Sequence, residues 1–259
     1  MDNHEMRLKF YPIRLVRDDL ENIPVYELPE GYSFRFYEGE KDIDVWIDIE
    51  KNAKEFISHS EGVRNFEAYF GKYKELLGDR MIFVVAPNGK SVATASAYFE
   101  PWDDESVGWL HWEAVRREYQ KKGLSRPLIS KTLMTLRELG YRTAKVPTQT
   151  TSWVAARLYL DFGYRPEPQN AIESEYGYRM LNTLTSHPTL SSFEKVEFDD
   201  LFDREVCDVA DALKLLHKNC GDMKVLTKYK TALVEADGAV KEYSYVYKNG
   251  KTELTEKTI

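Results

Sequence analysis

The sequence has little of what marks metal-binding, disulfide-stabilised or membrane proteins. It contains two cysteines, Cys207 and Cys220, among 259 residues, and it has no cysteine and histidine residues at zinc-ligand spacing. No apolar run approaches the roughly eighteen residues of a membrane helix. The opening stretch, MDNHEMRLKF, lacks the basic start and apolar core of a signal peptide. We therefore expect a cytoplasmic protein without a metal site or a membrane anchor.

An excess of positive charge is also missing. The 36 Lys and Arg residues are outnumbered by 43 Asp and Glu residues, which gives a formal net charge of −7. Nucleic acids and anionic membranes bind to basic faces, so this balance argues against both as partners. It is compatible with a cationic or neutral small substrate. The apolar share of 42% is high enough for a packed core.

Apolar spacing divides the first 182 residues into an N-terminal arm, residues 1–31, and a set of alternating helices and strands. Together with turn signals such as Pro87-Asn88-Gly89, the spacing predicts the order β, α, α, β, β, β, α, β, α, β. The first strand is predicted at 32–37 and the last at 176–181. This order is typical of an α+β (mixed α/β) domain, here residues 1–182.

The remaining residues, 183–259, have a different character. The stretch TLTSHPTLSS is typical of a linker, and residues 204–218 have the pattern of a helix. The turn signals Asp237-Gly238 and Asn249-Gly250 then separate three β-rich runs. Alternating tyrosines from Tyr243 to Tyr247 suggest a strand face packed against a helix, the main domain or a partner chain. We expect a small α+β unit whose role the sequence does not indicate.

One short stretch, EYQKKGLSRPLIS at 118–130, gives the first sign of a function. A glycine turn with cationic neighbours opens directly into an apolar helix. The first amides of a helix lack intrahelical partners and attract anions, and Gly123 lets them approach a ligand closely. Lys121, Lys122 and Arg126 add positive charge. By itself the stretch fits either a solvated surface turn or a binding site for a phosphorylated cofactor.

The residues around this turn resemble the GCN5-related N-acetyltransferase (GNAT) superfamily. Gln120-x-x-Gly123-x-Ser125 is similar to the family signature Q/R-x-x-G-x-G/A, and Ala155-x-x-Leu158-Tyr159-x-x-x-Gly163-Tyr164 is similar to the later helix motif A-x-x-L-Y-x-x-x-G-F. The element order from about residue 32 to 182 is similar as well. The resemblance implies a GNAT fold with a splayed central sheet, and a bacterial enzyme of the small-molecule type.

The resemblance also implies acetyl-CoA as donor, the primary amine of a small molecule as acceptor, and direct attack in a ternary complex. In the family, the turn amides hold the pyrophosphate, and the preceding strand runs beside the pantetheine. Ser125 stands where the family has Gly or Ala, and Ser152 stands where it often has Asn, although Ser152 also suits a helix N-cap. The implied cofactor-binding residues are Ala114, Val115, Gln120, Lys121, Lys122, Gly123, Leu124, Ser125, Arg126 and Ser152.

Acyl transfer from a thioester requires a neutral amine, a donor to the carbonyl oxygen and a proton for the leaving thiolate. Tyr159 matches the general acid of the family, and a core tyrosine is the alternative. A backbone N–H near Val115 is the expected donor. Glu113 and His111 alternate along one strand face, and either could take the proton of the amine directly or through water. Alternatively, Glu113 is a solvated strand residue and His111 is a buried histidine. Many enzymes of this family need no dedicated base.

The sequence leaves other functions open. The chain could be a non-catalytic module that binds CoA or has lost it, because Ser125 departs from the motif and no base is obvious. It could also use a longer acyl-CoA, or acetylate a protein N-terminus or a lysine. A homodimer is compatible with the sequence. The motifs do not identify the acceptor, because one fold serves many substrates.

Overall fold

A computed structural model describes residues 5–167, 171–218, 220–226 and 229–257, which form a larger domain and a smaller C-terminal unit. Each has its own β-sheet. The strands of the larger sheet are β1 (Pro12–Arg17), β2 (Ser33–Phe36), β3 (Met81–Val85), β4 (Ser91–Tyr98), β5 (Val107–Val115), β6 (Thr143–Gln149) and β7 (Arg165–Pro166). Its helices are α1 (Lys41–Asn52), α2 (His59–Tyr69), α3 (Ser125–Glu138), α4 (Trp153–Asp161) and α5 (Ala171–Thr185).

The larger sheet is mixed, and helices flank it. Its seven strands follow the order β2-β3-β4-β5-β6-β1-β7. Only β5 and β6 pair in parallel, and the other pairs are antiparallel. Helices α1 and α2 share an aromatic core with β3, β4 and β5, whereas α3, α4 and α5 share a second apolar core with β1 and β6. The predicted mixed α/β class with a central sheet flanked by helices is confirmed.

Three elements of the larger domain differ from the predictions, and one of them is β7, which was not predicted. The predicted irregular arm contains β1, which lies between β6 and β7 and buries Ile13 and Leu15 on one face. The predicted closing strand at 176–181 is wrong, because these residues belong to α5. Gly177 brings this helix so close to β1 that a Cβ atom there would lie 2.5 Å from Cδ1 of Ile13. Packing on β1 therefore overrides the strand-like alternation of tyrosines.

The segment predicted as a linker packs against the larger domain. Leu190 is fully buried in the same core as α3 and α5, and the side-chain amide of Asn182 donates to the carbonyl oxygen of Phe193 (2.6 Å). The predicted domain boundary at 182 lies within α5, which ends at Thr185. The division of the chain into residues 1–182 and 183–259 otherwise stays a prediction.

The C-terminal unit contains one helix and four strands. It consists of α6 (Arg204–Leu216), β8 (Cys220–Leu226), β9 (Thr231–Ala236), β10 (Ala239–Lys248) and β11 (Lys251–Lys257), in the sheet order β11-β10-β9-β8. Three strands were predicted, and β8 is the additional one. Tyr243 and Tyr245 are buried against Val209 and Leu213 of α6, so their strand face packs on a helix. Within the described residues, no helix has the length and apolarity needed to cross a bilayer.

Candidate active site

The site begins where β5 and β6 separate. The two parallel strands pair only from Val107 to Trp109 and from Thr143 to Lys145. Beyond these residues β5 continues to Val115 and β6 continues to Gln149 without further pairing between them. This opening is the splay that the family resemblance implied. It gives a ligand access to the backbone edges of both strands.

The turn between β5 and α3 exposes backbone amides at the end of this opening. Lys121 and Gly123 both lie in the left-handed backbone region, with φ values of 61° and 78°. The space above Gly123 is open, since a Cβ atom there would meet nothing nearer than Cγ of Pro29 at 3.9 Å. No side chain caps α3, whose N-cap position is held by Leu124. The first amides of α3 therefore suit an anion supplied by a ligand.

A cavity of about 290 Å³ lies beside this turn, and we call it the turn cavity. Lys122 is not among its lining residues, and the Lys122 ammonium group lies 4.6 Å from the ring centroid of Tyr119. The other predicted cofactor residues all line it: Ala114, Val115, Gln120, Lys121, Gly123, Leu124, Ser125, Arg126 and Ser152. The structure thus brings together nearly the whole set that the two motifs indicated.

Three of these side chains have structural contacts of their own. The Gln120 amide donates to the carbonyl oxygen of Val115 (3.0 Å), which fixes the turn against β5. The Arg126 guanidinium donates to Oδ2 of Asp161 (2.9 Å). Ser152 holds the N-cap position of α4, but its hydroxyl makes no capping hydrogen bond and instead accepts one from the Gln149 amide (2.8 Å). Ser152 thus holds the predicted N-cap position without a capping hydrogen bond from its side chain.

A second cavity, of about 260 Å³, lies deeper between β5, β6, α1 and α4, and we call it the inner cavity. Tyr159, Glu113 and His111, the predicted catalytic residues, all line it. The Tyr159 hydroxyl lies 3.5 Å from Oε2 of Glu113. Burial raises the pKa of Glu113 to about 7, and it raises the pKa of Tyr159 further above its usual range. Near neutral pH the pair therefore combines a protonated phenol with a carboxyl that can accept a proton.

A β-bulge in β5 determines which side chains face the inner cavity. Ala114 pairs with Thr94 and His111 pairs with Ser96, so Trp112 and Glu113 together stand opposite a single residue of β4. Trp112 has a φ of 50°, which β-branched and bulky residues rarely adopt. Simple alternation along β5 therefore does not apply. Instead, four consecutive residues, 110–113, line the inner cavity.

His111 differs from Glu113 in its surroundings. It is buried among aromatic rings, with ring centroids 4.7 Å from Tyr69 and 5.9 Å from Trp112. Burial lowers the pKa of His111 to about 3, so the imidazole is neutral across the physiological range. Its Nε2 lies 3.7 Å from a carboxylate oxygen of Glu100. The arrangement is that of a buried histidine, which leaves Glu113 as the better candidate base.

Residues 43–164 match the family model described as the acetyltransferase (GNAT) family. This part of the chain is a GNAT domain. It contains both motifs, the splay, and the catalytic candidates His111, Glu113 and Tyr159. No curated protein matches the chain.

Solved structures resemble the GNAT domain in fold. A GCN5-related N-acetyltransferase from Sphaerobacter thermophilus is 21% identical, with a TM-score of 0.50, and the match covers 63% of this chain and 50% of that one. A GCN5-related N-acetyltransferase from Kribbella flavida is 16% identical, with coverages of 60% and 54% and a TM-score of 0.43. A tandem GNAT protein from the clavulanic acid biosynthesis pathway is 15% identical, with coverages of 63% and 52% and a TM-score of 0.45. The chain therefore spans about half the length of these proteins.

The GNAT domain also places residues at the site that the motifs did not indicate. Glu50 of α1 and Glu55 of the α1–α2 loop line the inner cavity beside Glu113. Trp112 and Tyr69 add aromatic surface to the same cavity. The signal for Glu50 was present in the sequence, because it follows Trp46 and Ile47 at helical spacing and so falls on the apolar face of α1. A carboxyl on the apolar face of a helix is unfavourable unless a partner or ligand compensates for its burial.

The C-terminal unit contacts the GNAT domain next to the site. The Lys224 ammonium on β8 donates to the carbonyl oxygen of Glu55 (3.0 Å) and to Oε1 of Glu61 (3.1 Å), which ties the unit to the α1–α2 loop. A third cavity, of about 970 Å³, lies between this unit, the N-terminal segment and the loop. Glu55 and Gln149 line both this cavity and the inner cavity. The two spaces are therefore neighbours.

Proposed function

We propose that this protein is an N-acetyltransferase that transfers an acetyl group from acetyl-CoA to the primary amine of a small molecule, by direct attack in a ternary complex. One observation carries the proposal. The turn cavity and the inner cavity meet at Glu113, whose carboxyl lies beside the Tyr159 hydroxyl. A donor bound at the turn and an acceptor bound in the inner cavity would therefore meet at an acid–base pair.

The residues of the turn cavity fit the cofactor. The uncapped amides of α3 and the open backbone at Gly123 suit a pyrophosphate, and Lys121 and Arg126 add positive charge beside it. Ala114 and Val115 on the free edge of β5 would run beside the pantetheine. When bound, acetyl-CoA supplies an acetyl group on a thioester with a good leaving group. Ser125 is the first residue of α3, so its amide is among those without an intrahelical acceptor.

The charge of the inner cavity fits an amine. Its wall carries the carboxyls of Glu50, Glu55 and Glu113, and none of the described residues that line it is a lysine or arginine. His111, the remaining basic side chain there, is neutral because burial lowers its pKa to about 3. An ammonium group in the cavity would favour the ionised forms of these carboxyls, whereas an anionic acceptor would be repelled by them.

Glu113 and Tyr159 can perform the two proton transfers. Glu113 takes one proton from the ammonium form of the acceptor and passes it to solvent. With acetyl-CoA bound, Tyr159 would give its proton to the departing sulfur as the neutral nitrogen bonds to the acetyl carbon and the carbon–sulfur bond breaks. The second proton on nitrogen returns to Tyr159 through Glu113, and a backbone N–H of β5 near Val115 donates to the acetyl oxygen during attack.

Calorimetric titration with acetyl-CoA tests the cofactor site, using Gly123→Asp and Gly123→Asn as a matched pair. Aspartate and asparagine tolerate a positive φ about equally and have the same shape, so they differ mainly in charge. We expect the aspartate variant to bind acetyl-CoA at least about tenfold more weakly than the asparagine variant. Equal affinities would mean that the turn does not hold the pyrophosphate.

A screen of primary amines for acetylation then tests the activity. Formation of acetylated product that depends on Tyr159 supports the proposal. Tight acetyl-CoA binding without turnover of any amine would favour a non-catalytic module instead. Preferential turnover of a longer acyl-CoA would mean that the enzyme transfers a longer acyl group than acetyl. The proposed amine acceptor and the direct transfer would be unaffected.

A further inference from the structure

Glu50 is a buried carboxyl that no part of the proposed proton transfer uses. It lies on α1 four residues after Trp46 and is fully inaccessible to solvent. Within the described parts of the chain, neither of its carboxyl oxygens has a hydrogen-bond partner. Leaving a buried carboxyl without a partner destabilises a fold, and it does so more when the carboxyl is charged than when it is neutral. Such a group is expected to have a ligand.

The position of Glu50 shows where that ligand would be. Its side chain lines the inner cavity, and the charged groups that act on it are the carboxyls of Glu55 and Glu113. Burial and these two carboxyls raise the pKa of Glu50 well above its usual range. A cation in the cavity would relieve the repulsion among the three carboxyls and would stabilise the ionised form of Glu50.

The rest of the wall favours an organic cation. Trp112 packs edge-on against Trp46 (5.5 Å between centroids) and Tyr69 (5.4 Å), which places aromatic surface around the carboxyls. Aromatic faces together with carboxylates are the usual surroundings of an alkylammonium group. Among the residues described, no group of three or more His, Cys, Asp or Glu side chains is arranged to hold a metal ion.

We propose that Glu50 binds a second cationic group of the acceptor, so that the preferred acceptor is a diamine or polyamine. This inference rests on the proposed acetyl transfer, because it assigns the reacting nitrogen to Glu113 and Tyr159. The reacting nitrogen must lose its charge before attack, whereas the distal nitrogen keeps it. Alkyl amines have a pKa near 10.4, so the distal group is an ammonium at neutral pH. Glu50 is thus a binding residue for the part of the substrate that does not react.

Matched pairs of amines test this assignment. Each diamine from 1,3-diaminopropane to 1,6-diaminohexane is compared with the amino alcohol of the same length, in which a hydroxyl replaces the distal ammonium. For at least one length, we expect wild type to have a kcat/KM at least about tenfold higher for the diamine than for the amino alcohol. In Glu50→Gln this preference should fall to within about threefold, and the ratio of the two kcat/KM values, rather than the rate with either amine, is the readout.

Asp44→Asn is the control variant. Asp44 lies on the same helix but its side chain is 75% exposed, so the same change of carboxyl to amide there should leave the preference intact. Thermal unfolding shows whether Glu50→Gln is folded. We expect it to be at least as stable as wild type, because the variant no longer buries an ionisable carboxyl.

Calorimetric titration of the diamines in the absence of acetyl-CoA separates this inference from the proposed activity. If no amine is acetylated but a diamine binds to wild type and not to Glu50→Gln, the activity is wrong and the cation site stands. If amines are acetylated but wild type shows no preference for diamines, or the preference survives in Glu50→Gln, the cation site is wrong. Absence of both binding and preference overturns it as well.

Discussion

The hydroxyl oxygen of Tyr159 lies 3.5 Å from Oε2 of Glu113, at the point where the turn cavity and the inner cavity meet. This single relationship connects the two motifs of the sequence, since Glu113 precedes the glycine turn and Tyr159 belongs to the later helix motif. Glu113 belongs to β5 and Tyr159 belongs to α4. Their roles can be tested separately.

Replacing Tyr159 with phenylalanine removes the proposed acid and keeps the ring. We expect kcat to fall by about 10²- to 10⁴-fold, the usual contribution of general acid–base catalysis. Affinity for acetyl-CoA should stay within about threefold of wild type, because Tyr159 does not line the turn cavity. Steady-state kinetics and calorimetry measure the two quantities. A kcat near the wild-type value would show that Tyr159 is a core tyrosine without a catalytic role.

The pH dependence of the reaction should report Glu113. Burial raises the pKa of this carboxyl to about 7, and a base must be ionised to act, so the rate should rise through neutral pH and level off above it. Glu113→Gln should be slower and should lack this inflection. Initial rates between pH 5 and pH 9 check the expectation. An inflection near pH 7 that persists in Glu113→Gln would assign it to another group.

The same carboxyl should make the fold less stable at high pH. Its folded-state pKa is about 7 and its unfolded value is 4.5, so its contribution to stability is complete below pH 4.5 and is lost as the pH rises through 7. At pH 8 we expect Glu113→Gln to be more stable than wild type by up to about 3 kcal/mol, with little difference at pH 4. Denaturant unfolding at the two pH values measures this. A constant difference between the two proteins would argue against the raised pKa.

Lys224 should hold the α1–α2 loop beside the inner cavity. Its ammonium group is bonded to Glu61 and to the backbone of Glu55, and both partners are partly buried. We expect a glutamate-specific protease to cleave Lys224→Met after Glu55 several-fold faster than wild type. The lost hydrogen bonds lower the free energy of opening the loop by about 1 kcal/mol, so the loop is open more of the time. Lys230→Met is the control, since Lys230 pairs with Glu205 within the C-terminal unit. Equal cleavage of both variants would show that Lys224 does not restrain the loop.

Much of the site could be predicted because its chemistry is local in sequence. The turn from Gln120 to Arg126 combines a glycine, cations and a helix start within a few residues, and the structure brings nearly all of them to one cavity. The later motif indicated Tyr159 in the same way. Hairpins at Asp237-Gly238 and Asn249-Gly250 were predicted from the left-handed backbone that these residues adopt readily.

The features that were missed depend on contacts between distant residues. The bulge at Trp112 arises from pairing with β4, so strict alternation along β5 could not show that Trp112 lines the inner cavity together with His111 and Glu113. α5 is helical because it packs on β1, although its tyrosines alternate as in a strand. Glu50 could not be assigned from its own segment, because its surroundings come from β5 and the α1–α2 loop.

The short pairing between β5 and β6 has a consequence for hydrogen exchange. Beyond Trp109 and Lys145, the amides on the facing edges of these strands have no partner strand across the opening. They should exchange their hydrogens for deuterium much faster than amides of the same strands that point to β4 or β1. Any ligand that fills the opening with hydrogen-bond acceptors would slow this exchange at alternate residues. Deuterium exchange at these two strand edges, measured by mass spectrometry, would thus show whether a ligand occupies the opening, without an assay of turnover.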